Sequence, residues 1–131
     1  MKKTKILNLP RIQDPRGNLT FLQNQEHVPF DIQRVFWTYD VPGGERRGGH
    51  AYYQQEEFII ALSGSFDVVI TTPSGEKQSY TLNRSYYGLY LPPLTWRHME
   101  NFSTNSLSLH LSSQPFDAKD YIRDFNAYCN A

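Results

Sequence analysis

The stretch Gly44-Glu45-Arg46-Arg47-Gly48-Gly49-His50-Ala51-Tyr52-Tyr53-Gln54-Gln55-Glu56-Glu57, followed by Phe58-Ile59-Ile60-Ala61-Leu62-Ser63-Gly64, reads as a Gly/Arg loop running into a strand. His50 and Tyr52 stand two residues apart. In an extended strand they point to the same face. A proton-transfer pair on one face, behind a group of arginines, describes one wall of a pocket.

Outward from this stretch the chain alternates short apolar runs with turn signals. Strands are expected over Ile6–Leu9, Asn18–Gln23, Ile32–Val41, Phe58–Leu62, Phe66–Thr71, Gln78–Leu82, Tyr86–Leu91, Trp96–Phe102 and Leu107–Leu111. Turns are expected at Asp14-Pro15-Arg16-Gly17, Pro42-Gly43-Gly44, Ser63-Gly64-Ser65, Pro73-Ser74-Gly75 and Asn83-Arg84-Ser85, where Pro presets φ and Gly admits positive φ. Aromatic residues fall on both faces of Ile32–Val41, so both faces should be at least partly covered. Only the tail reads as helical, with Asp117 as N-cap, Asp120 at the third position, and Tyr121, Ile122, Phe125 and Tyr128 along one side. The expected architecture is an all-β antiparallel barrel of jelly-roll type with a short C-terminal helix, whose interior can hold one ligand.

Composition bounds the function. The chain of 131 residues is read as one domain, 1–131, with a core of its own. Thirteen basic residues balance thirteen acidic ones, which argues against a nucleic-acid surface. The single cysteine, Cys129, excludes an intrachain disulfide and a cysteine-based zinc site. The apolar run Ile6-Leu7-Asn8-Leu9 is too short for a signal sequence, and no run is long enough for a membrane helix. A cytoplasmic protein with no membrane or nucleic-acid partner is expected. The glycine-rich loop lacks the Lys-Ser/Thr of a phosphate loop, and no helix follows it, so nucleotide hydrolysis is not expected.

The spacing Gly44, His50, Tyr52, Glu57, Gly64 matches the first motif of the cupins, with Tyr52 where the second histidine stands. Gly88, Pro93 and His98 form a looser second motif, with Thr95 in place of a glycine. Further segments occur in matching order: Arg16-Gly17-Asn18-Leu19, Pro29-Phe30-Asp31-Ile32-Gln33-Arg34-Val35, Arg47-Gly48-Gly49-His50-Ala51, Leu62-Ser63-Gly64-Ser65, Gly88-Leu89-Tyr90, Trp96 and Asp120-Tyr121-Ile122-Arg123. Together they resemble the small cupin sugar 3,4-ketoisomerases over about residues 5 to 127. The resemblance implies conversion of dTDP-4-oxo-6-deoxyglucose to its 3-oxo isomer, on the way to amino-deoxysugars of surface polysaccharides such as O-antigen. It also implies no metal, no cofactor, and a homodimer with exchanged N-terminal strands. The founding members carry a second histidine where this chain has Tyr52.

Moving the ketone from C4 to C3 takes a proton from C3, delivers one to C4 and shifts one between the two oxygens. A base near neutral pKa suits His50, and Tyr52 suits the oxygen side. Arg47 and Arg97 are candidates for enediolate or diphosphate binding, and Arg16 and Arg34 are weaker phosphate candidates. Trp37 or Tyr39 could stack on thymine or sugar, and Glu57 and His98 complete the candidate substrate-binding residues. A metal-dependent cupin using His50, Glu57 and His98, a 3,5-epimerase-like enzyme, and a sugar-nucleotide binding module with altered catalysis are the alternatives.

Overall fold

In a computed structural model that describes residues 2–131, twelve strands and two short helical segments follow in order. The strands are β1 (Lys5–Asn8), β2 (Arg11–Ile12), β3 (Leu19–Thr20), β4 (Arg34–Tyr39), β5 (Arg47–Tyr52), β6 (Glu57–Ser63), β7 (Phe66–Thr71), β8 (Lys77–Leu82), β9 (Tyr87–Leu91), β10 (Trp96–Glu100), β11 (Leu107–Ser112) and β12 (Tyr121–Ile122). A 3-10 turn covers Ala118–Asp120, and a helix α1 covers Phe125–Cys129.

Two five-stranded antiparallel sheets carry the fold, in orders β1-β9-β6-β11-β4 and β12-β5-β10-β7-β8, and β2 and β3 form a separate hairpin. The all-β jelly-roll expectation matches this arrangement. Alternation along each strand decides what lies between the sheets. Ile59 and Ala61 of β6, Phe66 and Val68 of β7, Leu89 and Leu91 of β9, and Met99 of β10 form the central cluster. The opposite face of β6, Phe58 and Ile60, packs under Leu9, Val28 and Phe30 of the N-terminal segment. On the far side, Ala51, Ile122 and Tyr128 pack with Trp96 and Phe125.

Several elements differ from the sequence expectation. The strand expected over Asn18–Gln23 contracts to β3, paired with β2, a strand not anticipated. On β4 the two faces are both partly covered but unequally, the Arg34, Phe36, Thr38 face more, while Val35, Trp37 and Tyr39 are 46%, 57% and 63% exposed. The tail is not one helix. Asp117 does cap, accepting from the Lys119 amide, but only a 3-10 turn follows. Tyr121 and Ile122 then leave to pair with Tyr52 and Ala51 on the open edge of β5. Pairing there satisfies backbone groups that a helix end would leave open. Asp120 locks the departure, because its carboxylate accepts from the amides of Gln54 (2.8 Å) and Gln55 (3.1 Å). The α-helix starts afresh at Asp124, whose carboxylate accepts from the Ala127 amide at 2.9 Å.

Gly88 of β9 marks a tight approach in the sheet β1-β9-β6-β11-β4. A Cβ there would lie 2.5 Å from both the Ile59 carbonyl oxygen and the Phe58 ring. Gly88→Ala is therefore expected to cost about 2 kcal/mol, through forced displacement of packed core atoms. Chemical denaturation of the two proteins reads this directly, and equal midpoints would contradict it.

Candidate active site

The space between the sheets is apolar at one end and polar at the other. On β11 the pattern Leu107-Ser108-Leu109-His110-Leu111-Ser112 sends its leucines outward and its polar residues inward. Glu57 of β6, Arg97 of β10 and His50 of β5 join His110 around an interior cavity of about 80 Å³. It opens toward a mouth of about 450 Å³ lined by Arg46, Arg47, His50, Tyr52, Tyr121 and Arg123 among others.

A bulge in β5 builds this wall. Met99 pairs with Arg47 and Arg97 with His50, so β10 advances two residues while β5 advances three. In a regular strand Arg47 and His50 would face opposite sides. The extra residue returns both to the barrel side, where both line the interior cavity. Gly48 sits in the bulge at φ +91°, a conformation that favours glycine.

Glu57 is the hub. Its Oε2 contacts Nδ1 of His110 at 2.8 Å and lies 3.4 Å from Nη1 of Arg97. Its Oε1 accepts from Nε2 of Gln55 at 2.8 Å, and Gln55 in turn accepts from Arg34 at 3.0 Å. The other nitrogen of His110 meets Ser108 Oγ at 2.9 Å, and its ring stacks on Phe36 with centroids 4.5 Å apart. Arg97 is 2% exposed and donates through Nε to the Thr95 carbonyl at 3.0 Å. Its Nη1 and Nη2 make no hydrogen bond among the described residues. Buried guanidinium donors without an acceptor are rare and mark a place for a ligand oxygen.

The electrostatics follow from burial. His50 is pushed down to about 4, by burial first and then by the Arg97 charge. Burial would raise Glu57, but Arg97 and the hydrogen bond from His110 outweigh it and hold the carboxyl at about 2. Tyr52 is driven well above the ordinary phenol range by burial, then by the Glu57 charge and its polar contact with Tyr121. At neutral pH the site holds a neutral imidazole, a carboxylate, a guanidinium and an intact phenol. His50 and Tyr52 do share a face, with ring centroids 4.9 Å apart in an edge arrangement.

Of the residues singled out in the sequence, His50, Tyr52, Arg47, Glu57 and Arg97 converge here. Four do not. Arg16 lies in an exposed turn, paired with Asp14 at 2.8 Å. Trp37 and Tyr39 sit on the outer face of β4, along a separate groove of about 430 Å³. His98 neighbours Arg97 on β10 and therefore faces the other side of the sheet, where it meets Glu100 at 2.7 Å. The metal set His50, Glu57, His98 is corrected on that ground, since a sheet separates its third member from the other two. Arg34 reaches the site through Gln55 and lies over the Phe36 ring at 4.9 Å. His110, Gln55, Tyr121 and Arg123 were not singled out. The alternating Ser-x-His-x-Ser of β11 signalled His110, whereas the return of Tyr121 along β5 left no local signal.

The FdtA family (WxcM-like, C-terminal) matches residues 2–131. The TDP-4-oxo-6-deoxy-alpha-D-glucose-3,4-oxoisomerase of Aneurinibacillus thermoaerophilus is 33% identical over 126 residues, covering 96% of this chain and 90% of that protein. Among solved structures, the WlaRB TDP-quinovose 3,4-ketoisomerase of Campylobacter jejuni is 38% identical, with a TM-score of 0.93 and full coverage of both chains. A histidine-to-asparagine mutant of the 3,4-ketoisomerase QdtA from Thermoanaerobacterium thermosaccharolyticum, in complex with TDP-4-keto-6-deoxyglucose, is 31% identical. Its TM-score is 0.95, covering 99% of this chain and 94% of that one.

The depressed pKa values make stability depend on acid. His50 stays neutral in the fold down to about pH 4, whereas an unfolded histidine takes its proton near 6.5. The unfolded chain thus binds more protons between these values, and stability falls as pH drops through that window, by about 3 kcal/mol from this residue. Glu57 adds a loss of the same sign between its ordinary 4.5 and about 2. Denaturation midpoints from pH 7 to 4 should show the fall, and His50→Asn should flatten its upper part. A wild-type profile flat across that range would contradict it.

Proposed function

The chain belongs to the FdtA family, and from that membership we propose that it is a nucleotide-sugar 3,4-ketoisomerase, acting on a TDP-linked 4-oxo-6-deoxyhexose. The observation that carries the reading is the shared cavity of neutral His50 and Arg97, whose Nη1 and Nη2 make no hydrogen bond among the described residues, a base beside a donor pair.

The carbon bound to hydrogen at C3 is acidified by the ketone at C4. Neutral His50 takes the C3 proton, and charge moves onto the C4 oxygen. Arg97, held by Glu57 and the Thr95 carbonyl, offers Nη1 and Nη2 to that oxygen. The enediol forms, the oxygens exchange a proton, and His50 returns its proton at C4. Burial lowers the basicity of His50 in the empty site. A bound diphosphate near Arg46, Arg47 and Arg123 offsets cationic charge at the mouth and raises it toward the working range. These three guanidiniums suit a diphosphate bidentately. The 3-oxo product is the form that amination at C3 consumes, which supports a place in cytoplasmic deoxyamino-sugar and surface-polysaccharide assembly.

A homodimer is part of the same reading. Val35, Trp37 and Tyr39 present an uncovered apolar stripe on edge strand β4, and Ile12 and Leu19 do so on the β2–β3 hairpin. Here β1 pairs with β9 of its own chain. Exchange of N-terminal strands would preserve that pairing between two copies. Sedimentation should give a dimer, which Trp37→Glu shifts toward monomer; a wild-type monomer at micromolar concentration would end this part of the reading.

Activity is tested with TDP-4-oxo-6-deoxyglucose in D2O, followed by NMR. The expected result is deuterium at C3 and appearance of the 3-oxo sugar. His50→Asn should lower both by about 10³-fold, and Arg97→Met should lower product formation by about 10²-fold. No exchange and no 3-oxo product from wild type would sink the isomerase reading.

A further inference from the structure

The oxygen-side proton needs its own carrier, and residue placement decides which one. The ketone shift moves one proton between carbons and a second between the oxygens at C3 and C4. His50 attends the carbons. The candidate from sequence for the oxygens, Tyr52, is only 1% exposed and forms the back of the site. The Arg97 guanidinium lies 5.1 Å from its ring centre, and His50 and Tyr121 flank it. Tyr121 stands in front of it. Its ring centre is 4.6 Å from that of Tyr52 and 5.3 Å from that of His50, and it lines the open mouth beside Arg123.

Tyr121 is also held as a reacting group must be. Its backbone pairs with Tyr52 in register. The preceding Asp120 is clamped through its carboxylate by two amides, and its carbonyl accepts from Tyr53 at 3.0 Å. Arg123 caps the ring from the mouth side at 4.3 Å. Such fixation of a short, two-residue strand makes its hydroxyl a positioned donor rather than a mobile tail.

Resting on the isomerase reading, we infer that Tyr121 is a second catalytic residue, whose hydroxyl touches the sugar and relays the proton between the C3 and C4 oxygens. The steps balance without a co-reactant. The C3–H bond breaks toward His50, and the C3–C4 double bond forms. Tyr121 gives its proton to the C4 oxygen and takes the proton of the C3 hydroxyl. The C3 carbonyl then forms, and His50 returns its proton to C4. Tyr52 lies behind Tyr121 and orients it, and is a positioning residue.

The test separates the two proton paths. Wild type, Tyr121→Phe and Tyr52→Phe are incubated with TDP-4-oxo-6-deoxyglucose in D2O, with thermal unfolding recorded for each. Tyr121→Phe should keep C3 exchange within about tenfold of wild type while 3-oxo product falls by about 10²-fold or more, with little change in KM. Tyr52→Phe should fall between Tyr121→Phe and wild type. Isomerisation by Tyr121→Phe at the wild-type rate would overturn the inference, as would loss of exchange and product in equal proportion. Should Tyr121→Phe fail to fold, 3,5-difluorotyrosine at position 121 decides: the basic limb of kcat should move to lower pH, and an unmoved limb overturns the assignment. Wild type that binds TDP but neither exchanges nor isomerises the sugar would instead defeat the isomerase reading itself.

Discussion

A single buried carboxylate, that of Glu57, constrains the polar half of this barrel. Its side chain is 2% exposed, between the two sheets. Taking such a charge out of water costs several kcal/mol unless partners replace the lost hydration. The partners come from three directions. His110 approaches from the neighbouring strand of the same sheet, Gln55 from the segment entering β6, and Arg97 from the facing sheet. The requirement to satisfy one carboxylate therefore fixes the depth of both sheets at this end. It also explains why polar residues alternate on β11 where an aliphatic core would otherwise continue.

The same field sets the protonation states that matter for chemistry. Arg97 lowers His50, and Glu57 opposes it. Burial decides the balance in favour of a neutral ring. Arg97 is pinned by a carboxylate on one side and a backbone carbonyl on the other, yet two of its nitrogens make no hydrogen bond among the described residues. A guanidinium so arranged is rigid before any ligand arrives, and reorganisation at the moment charge develops is small. Stability and reactivity thus draw on one cluster. Removing Glu57 would strand a buried cation and would also free the guanidinium that lines the interior cavity.

How much of this was readable in the chain depends on the range of the signal. The short apolar runs, the Gly and Pro turns, and the spacing from Gly44 to Gly64 are local, and they point to a jelly roll with His50, Tyr52 and Glu57 at one site. The β5 bulge is not local. Gly48 and Gly49 hint at it, but only the slipped pairing with β10 shows that Arg47 and His50 share a side. His98 misled because the motif spacing of Gly88, Pro93 and His98 says nothing about which face of β10 is inside. Arg97, its neighbour, takes that face. In the tail, helical spacing of Tyr121, Ile122, Phe125 and Tyr128 competed with an open strand edge, and the edge won because it offered backbone partners to Tyr121 and Ile122.

The tyrosine at position 52 makes sense within this charge balance. An imidazole there would lie under the Arg97 guanidinium and against His50, where the Arg97 charge and burial both disfavour protonation. It could enter proton transfer only as a neutral ring, with one donor and one acceptor. A phenol supplies the same pair of functions without the option of a second cation, and its raised pKa keeps the proton in place at neutral pH. The larger ring also abuts Tyr121, with ring centroids 4.6 Å apart. With tyrosine at position 52 the mouth keeps a single imidazole in its lining, the neutral His50, with the phenols of Tyr52 and Tyr121 packed beside it.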